Sequence, residues 1–111
     1  MNIHYNFWLE ENGRVVLSPW RAKLLQAIAE TGSISAAARQ MDVSYRRAWE
    51  KLKEMEDGFG QSLLTTEIGG AHGGGASLTP YAQSILEKFN RLITVLDREI
   101  QANFIKSDWT A

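Results

Sequence analysis

Three consecutive alanines, Ala36-Ala37-Ala38, stand between a serine at Ser33 and the break Asp42-Val43-Ser44. No other feature restricts the fold as strongly. Side chains this small let two helices approach closely, because little bulk separates their backbones. Ser33 suits the N-cap of a short helix running through Met41, and Ser44 suits the cap of another from Tyr45 to about Glu56. Ala48, Leu52 and Met55 recur at helical spacing in the second helix and define its buried stripe. Between the two there is room only for a tight turn.

The flanking segments add β structure and two further helices. Ile3, Tyr5, Phe7 and Leu9 alternate with His4, Asn6 and Trp8, which predicts a strand over 3–9. Asn12-Gly13 is a type I′ hairpin signal, and Arg14 to Leu17 would return. Ser18-Pro19 reads as a cap followed by proline at the first helical position. Leu24, Leu25 and Ile28 continue that helix to a stop at Gly32. After Gly58 and Gly60 come a strand-like run from Ser62 to Glu67, a glycine-rich tip over 69–75 and a short return from Ala76 to Leu78. Thr79-Pro80 repeats the cap-plus-proline start and opens a long helix to about Phe104. Its stripe of Leu92, Ile93, Leu96 and Ile100 continues past what a small core needs to cover.

Composition bounds what such a chain can do. A length of 111 residues supports one domain, 1–111, with too little core for two. The absence of cysteine excludes a thiol nucleophile and a Cys-based zinc site, and two histidines make a metal centre unexpected. No apolar run is long enough to span a membrane, and the N-terminus lacks a signal-peptide pattern, so a cytoplasmic location is expected. Net charge is −1, which argues at first against a nucleic-acid partner. The charge is unevenly placed, however. Residues 33–53 carry +3, from Arg39, Arg46, Arg47, Lys51 and Lys53 against Asp42 and Glu50, while residues 54–83 carry −4.

Two short helices followed by a two-stranded hairpin give the order of a winged helix-turn-helix. The expected fold is mainly α with small β: an N-terminal β-hairpin (3–17), the helix-turn-helix (33–56), the wing (62–78) and a long C-terminal dimerisation helix (79–104). The second helix of such a pair enters the major groove by its N-terminal half. Arg46, Arg47, Glu50 and Lys53 fall opposite its buried stripe. Either arginine could bond guanine bidentately. Glu50 could accept from a cytosine amino group or simply pair with a neighbouring arginine. Ser44 and the helix N-terminus suit a phosphate. Tyr45, at the edge of the stripe, is open between phosphate contact and packing, and Trp49 is expected in the core. The tip GGAHGGG lacks the Lys-Ser/Thr of a phosphate-binding loop, so His72 reads as an exposed tip residue and no catalytic group is expected.

Taken together, GSISAAARQMDVSYRRAWEKLKEME and GGAHGGGASLTPYAQSIL resemble the N-terminal domain of ModE-type molybdate-responsive regulators, over roughly residues 3–100. A more distant likeness is to the N-terminal domain of LysR-type regulators, which share the alanine-rich helix. The most specific parts are Ser33-Ile34-Ser35, Ser44-Tyr45-Arg46-Arg47-Ala48-Trp49 and the GGxxGGG wing before Leu78-Thr79. The resemblance implies a homodimer on an inverted repeat in double-stranded DNA. It places Ser33, Ser35, Ser44, Tyr45, Arg46 and Arg47, with Gly70, Gly73 and Gly74 of the wing, against DNA. The wing carries Glu67 and no Lys or Arg, so its contacts would come from backbone N–H groups, Thr65, Thr66 or His72. These 111 residues leave no room for a molybdate-binding domain, so neither a cofactor nor a bound small molecule is expected. A winged-helix adaptor without DNA binding, and an oxyanion sensor, are the competing expectations.

Overall fold

The computed structural model describes residues 1–67 and 75–110. Strand β1 (Leu9–Glu11) pairs antiparallel with β2 (Arg14–Leu17). The turn between them holds Asn12 at φ 52° and Gly13 at φ 78°, the two positive values that a type I′ turn requires. Helices α1 (Pro19–Thr31), α2 (Ile34–Gln40) and α3 (Tyr45–Phe59) follow, then the hairpin β3 (Leu64–Glu67) and β4 (Gly75–Leu78), then α4 (Pro80–Lys106). The fold is thus mainly helical with two small hairpins and a long last helix.

Two elements differ from the sequence pattern. The alternating run 3–8 is no strand: β2 has only four residues before α1 begins, so nothing remains for it to pair with. The run lies instead against α4, where the Phe7 ring sits 5.3 Å from that of Phe89 and the Tyr5 hydroxyl donates to Asp97 at 2.8 Å. Helix α3 also continues past Glu56 to Phe59, with Gly60 as its αL cap at φ 66°. Gly58 therefore lies inside the helix. Its missing side chain admits Val16 of β2, whose Cγ1 would collide with a Cβ there.

The core gathers Leu17, Leu24, Leu25, Ile28, Leu52, Met55, Leu63 and Phe89, all but fully buried. Ala37, Ala38 and Ala48 are also buried, at the place where α2 and α3 meet. Small side chains do bring these helices together. In α4 the buried residues are Ala82, Leu86 and Phe89, all in its first half. Beyond Phe89 the helix still presents Leu92 and Val95 to solvent.

Candidate nucleic-acid interface

The turn between α2 and α3 is fixed by local hydrogen bonds. Met41 N–H donates to Ala37 and Val43 N–H to Ala38, both through carbonyl oxygens. Asp42 takes the left-handed conformation at φ 57° between them. Aspartate tolerates that region better than most residues, because its short polar side chain bonds locally. Ser33 and Ser44 are both N-caps, their hydroxyl oxygens each accepting a backbone N–H at 3.1 Å, from Ala36 and Arg47. The cap uses each hydroxyl as an acceptor and leaves its O–H able to donate.

Helix α3 buries Ala48, Leu52 and Met55 and exposes Tyr45, Arg46, Arg47, Trp49, Glu50 and Lys53. Trp49 departs from expectation. It is 44% exposed, beside Tyr45 at 51%. It follows Ala48 in the sequence, and a step of one residue turns a helix by about 100°, which carries the indole off the buried stripe. That angle was the signal available in the sequence. Arg46 donates to Glu50 at 3.1 Å one turn on, so Glu50 is engaged within its own helix. Lys53 pairs with Glu56 at 3.0 Å, and its ammonium lies 5.4 Å from the Trp49 ring centroid. Among the described residues Arg39 and Arg47 make no ion pair.

The acidic segment is built into the frame. Glu54 binds Arg21 at 2.6 Å and Lys51 at 3.4 Å. Glu56 accepts from the Leu63 N–H at 2.8 Å and from the Ser62 hydroxyl at 3.4 Å, which ties the entry of β3 to the end of α3. Partial burial on its own pushes the pKa of Glu56 up, because it disfavours the charged carboxylate. The bonds from Leu63, Lys53 and Ser62 together outweigh it, so the carboxyl titrates below its ordinary value. Two of the four acids behind the −4 are thereby spent on folding.

Ser33, Ser35, Tyr45, Trp49, Lys53 and Thr66 line one cleft of about 460 Å³ between α2, α3 and the base of β3. Arg46, Arg47 and Glu50 lie outside it, on the outer side of α3, and Thr65 is exposed on β3 without lining it. The wing base is tied to the α1–α2 corner by the Ala76 N–H, which donates to Gly32 at 2.9 Å. Gly70, His72, Gly73 and Gly74 fall outside the described residues. Among the described residues, no three His, Cys, Asp or Glu side chains come together as a metal site would need, and no helix is long and apolar enough to cross a membrane.

Known proteins resemble this arrangement in sequence and in structure. ModE, a transcriptional regulator of Haemophilus influenzae, is 40% identical over 76 residues, covering 68% of this chain and 30% of its own length. The molybdenum-pterin-binding protein MopB of Rhodobacter capsulatus is 40% identical over 72 residues, covering 65% of this chain and 27% of its own. The chain therefore spans under a third of these relatives. The DNA-binding domain of CbnR, crystallised in complex with DNA, superposes with a TM-score of 0.61 at 26% identity, covering 77% of this chain and 92% of that one. Residues 21–83 match the bacterial regulatory helix-turn-helix proteins of the LysR family. From Arg21 in α1, through α2, α3 and the wing, to Gln83 in α4, this chain belongs to that family.

Proposed function

We propose that the chain is the DNA-binding part of a transcription regulator and seats α3 in the major groove of double-stranded DNA. The supporting observation is the first half of α3. It exposes Tyr45, Arg46, Arg47, Trp49 and Glu50 together, on the helix that family members of this architecture carry second in the helix-turn-helix. Arg46 and Glu50 face outward as a hydrogen-bonded pair suited to base edges. Arg47, the O–H groups of Ser33, Ser35 and Ser44, and the exposed hydroxyls of Thr65 and Thr66 on β3 suit phosphates of the same duplex. The role is binding, in the cytoplasm where promoter DNA lies, with no catalytic step assigned.

Two copies act on one inverted repeat. The unburied apolar residues of α4 beyond Phe89 support pairing through that helix. Selection of bound duplexes from a random pool tests both parts. The expected product is a palindromic consensus whose affinity falls steeply with salt. Failure to retain any duplex at low salt refutes DNA binding, and a consensus without symmetry refutes the dimeric mode.

A further inference from the structure

Trp49 is the tryptophan whose exposure the fold does not explain. Trp20 packs against the core. Trp8 donates its indole N–H to Glu10, and Trp109 stacks on Phe104 and donates to its carbonyl oxygen. Among the described residues the Trp49 indole N–H has no acceptor, and the residue is 44% exposed on the first half of α3. It stands one turn after the exposed Tyr45 and borders the cleft toward Thr66. The Lys53 ammonium lies 5.4 Å from the ring centroid, so one face of the indole is already occupied by a neighbour from the next turn of α3.

A large apolar ring left in water at a polar interface is a specific placement. In the major groove the apolar group that base edges offer is the thymine C5-methyl. Arg46 and Glu50, paired with each other, do not line the cleft that Trp49 borders, and of the α3 side chains that do, Lys53 is engaged with Glu56. We infer that Trp49 is a specificity-determining residue that packs on a thymine methyl, so that the bound site requires thymine at one position per half-site. This inference rests on the proposed seating of α3 in the major groove.

The test substitutes deoxyuridine for each thymine of a selected duplex, which removes one methyl and leaves every hydrogen-bonding group in place. Binding of the full chain is measured for the native protein, Trp49→Ala and Trp49→Phe. The expected result is one position per half-site where deoxyuridine weakens the native protein by about fourfold, the worth of one buried methylene-sized group. Trp49→Ala should be indifferent to that replacement, and Trp49→Phe should retain part of the sensitivity. Native protein that binds tightly but shows no deoxyuridine effect overturns the inference and leaves the proposed function standing. So does an effect of equal size in the native protein and Trp49→Ala. Native protein that binds no duplex overturns the proposed function itself, and this inference with it.

Discussion

Arg21 of α1 reaches Glu54 of α3 at 2.6 Å while the two groups sit in very different surroundings: the Arg21 side chain is 10% exposed and that of Glu54 is 49% exposed. Arg21 also donates to the Val15 carbonyl at 2.9 Å, so one guanidinium joins β2, α1 and α3. The asymmetry decides which partner matters more. Without Glu54 the guanidinium stays buried with its charge unmatched, whereas without Arg21 the carboxylate turns to water. Loss of one partner of a fully buried pair costs about 3–5 kcal/mol, and the half-exposed Glu54 reduces that figure. Denaturant unfolding should show Glu54→Ala losing ~2–3 kcal/mol and Arg21→Met ~1, the net worth of one hydrogen bond. A smaller loss for Glu54→Ala than for Arg21→Met would contradict this account.

Gly58 and Gly60 are close in sequence but glycine for different reasons. Gly58 has ordinary helical backbone, and alanine there would gain about 1 kcal/mol in helix propensity. The new methyl would meet Val16 Cγ1, however, and overpacking costs about 1–3 kcal/mol. Gly60 has open space around it but lies at φ 66°, where a Cβ costs about 1–2 kcal/mol. Both alanine variants should therefore destabilise. Adding Val16→Ala should relieve the clash at Gly58→Ala, measured as coupling in a double-mutant cycle, and should leave the loss at Gly60→Ala unchanged.

The same contrast marks what the sequence could reveal. Caps, the Asn12-Gly13 turn and the stripe of Ala48, Leu52 and Met55 are local signals, and each is where the pattern put it. Of the strand expected over 3–9, only Leu9 pairs, in β1; residues 3–8 do not, because alternation records which side chains face inward and says nothing about a pairing partner. Ile3 and Phe7 are indeed half-buried, and Phe7 packs against Phe89 of α4 rather than in a sheet. Gly58 looked like a helix end because its reason, Val16, is far off in the chain. For the interface, the exposure of the arginines followed from the helical wheel. The Arg46–Glu50 pairing, and the use of Glu54 and Glu56 within the frame, depend on rotamers and on contacts between elements.

Arg46 and Arg47 should differ in their effect on DNA binding. Arg47, free of ion pairs among the described residues, suits a phosphate. Arg47→Ala should weaken binding to selected and unrelated sequences by nearly the same factor and lower the salt slope by about 1. Arg46 is shared with Glu50, so Arg46→Ala should relax preference at one base pair. Glu50→Gln should strengthen binding to unrelated duplexes by releasing the guanidinium. Filter binding on selected and scrambled duplexes across a salt series separates these effects. Equal losses of discrimination for both arginines would remove the distinction.

Pairing of two chains through α4 is tested by charging its exposed stripe. Val95 is 49% exposed and Leu92 37%, so neither is needed by the core of one chain. Val95→Glu should leave the melting behaviour of a dilute sample unchanged and convert a dimer to a monomer in light scattering. Placing a carboxylate in an apolar interface without a partner is unfavourable by several kcal/mol in the absence of a pKa shift, on the order of the cost of burying an unpaired ion. A native protein that is monomeric at micromolar concentration would contradict pairing through this helix.

Glu56 gives the acid limb of stability a definite sign. Its carboxylate takes the Leu63 N–H and the Lys53 ammonium, and its folded-state value is held below the ordinary 4.5. A group depressed in this way binds its proton more readily in the unfolded chain, so it favours folding once the pH is above the unfolded value. The contribution is complete above about pH 4.5 and is lost as pH falls through the lower folded value. Glu56→Gln keeps an acceptor for Leu63 but cannot titrate. It should be less stable than the native protein near neutral pH, and the difference should shrink steadily on acidification below pH 4.5. Urea midpoints across that range check the sign. A difference that stays constant or grows with acid would mean that the carboxylate is not held in the folded state by these bonds.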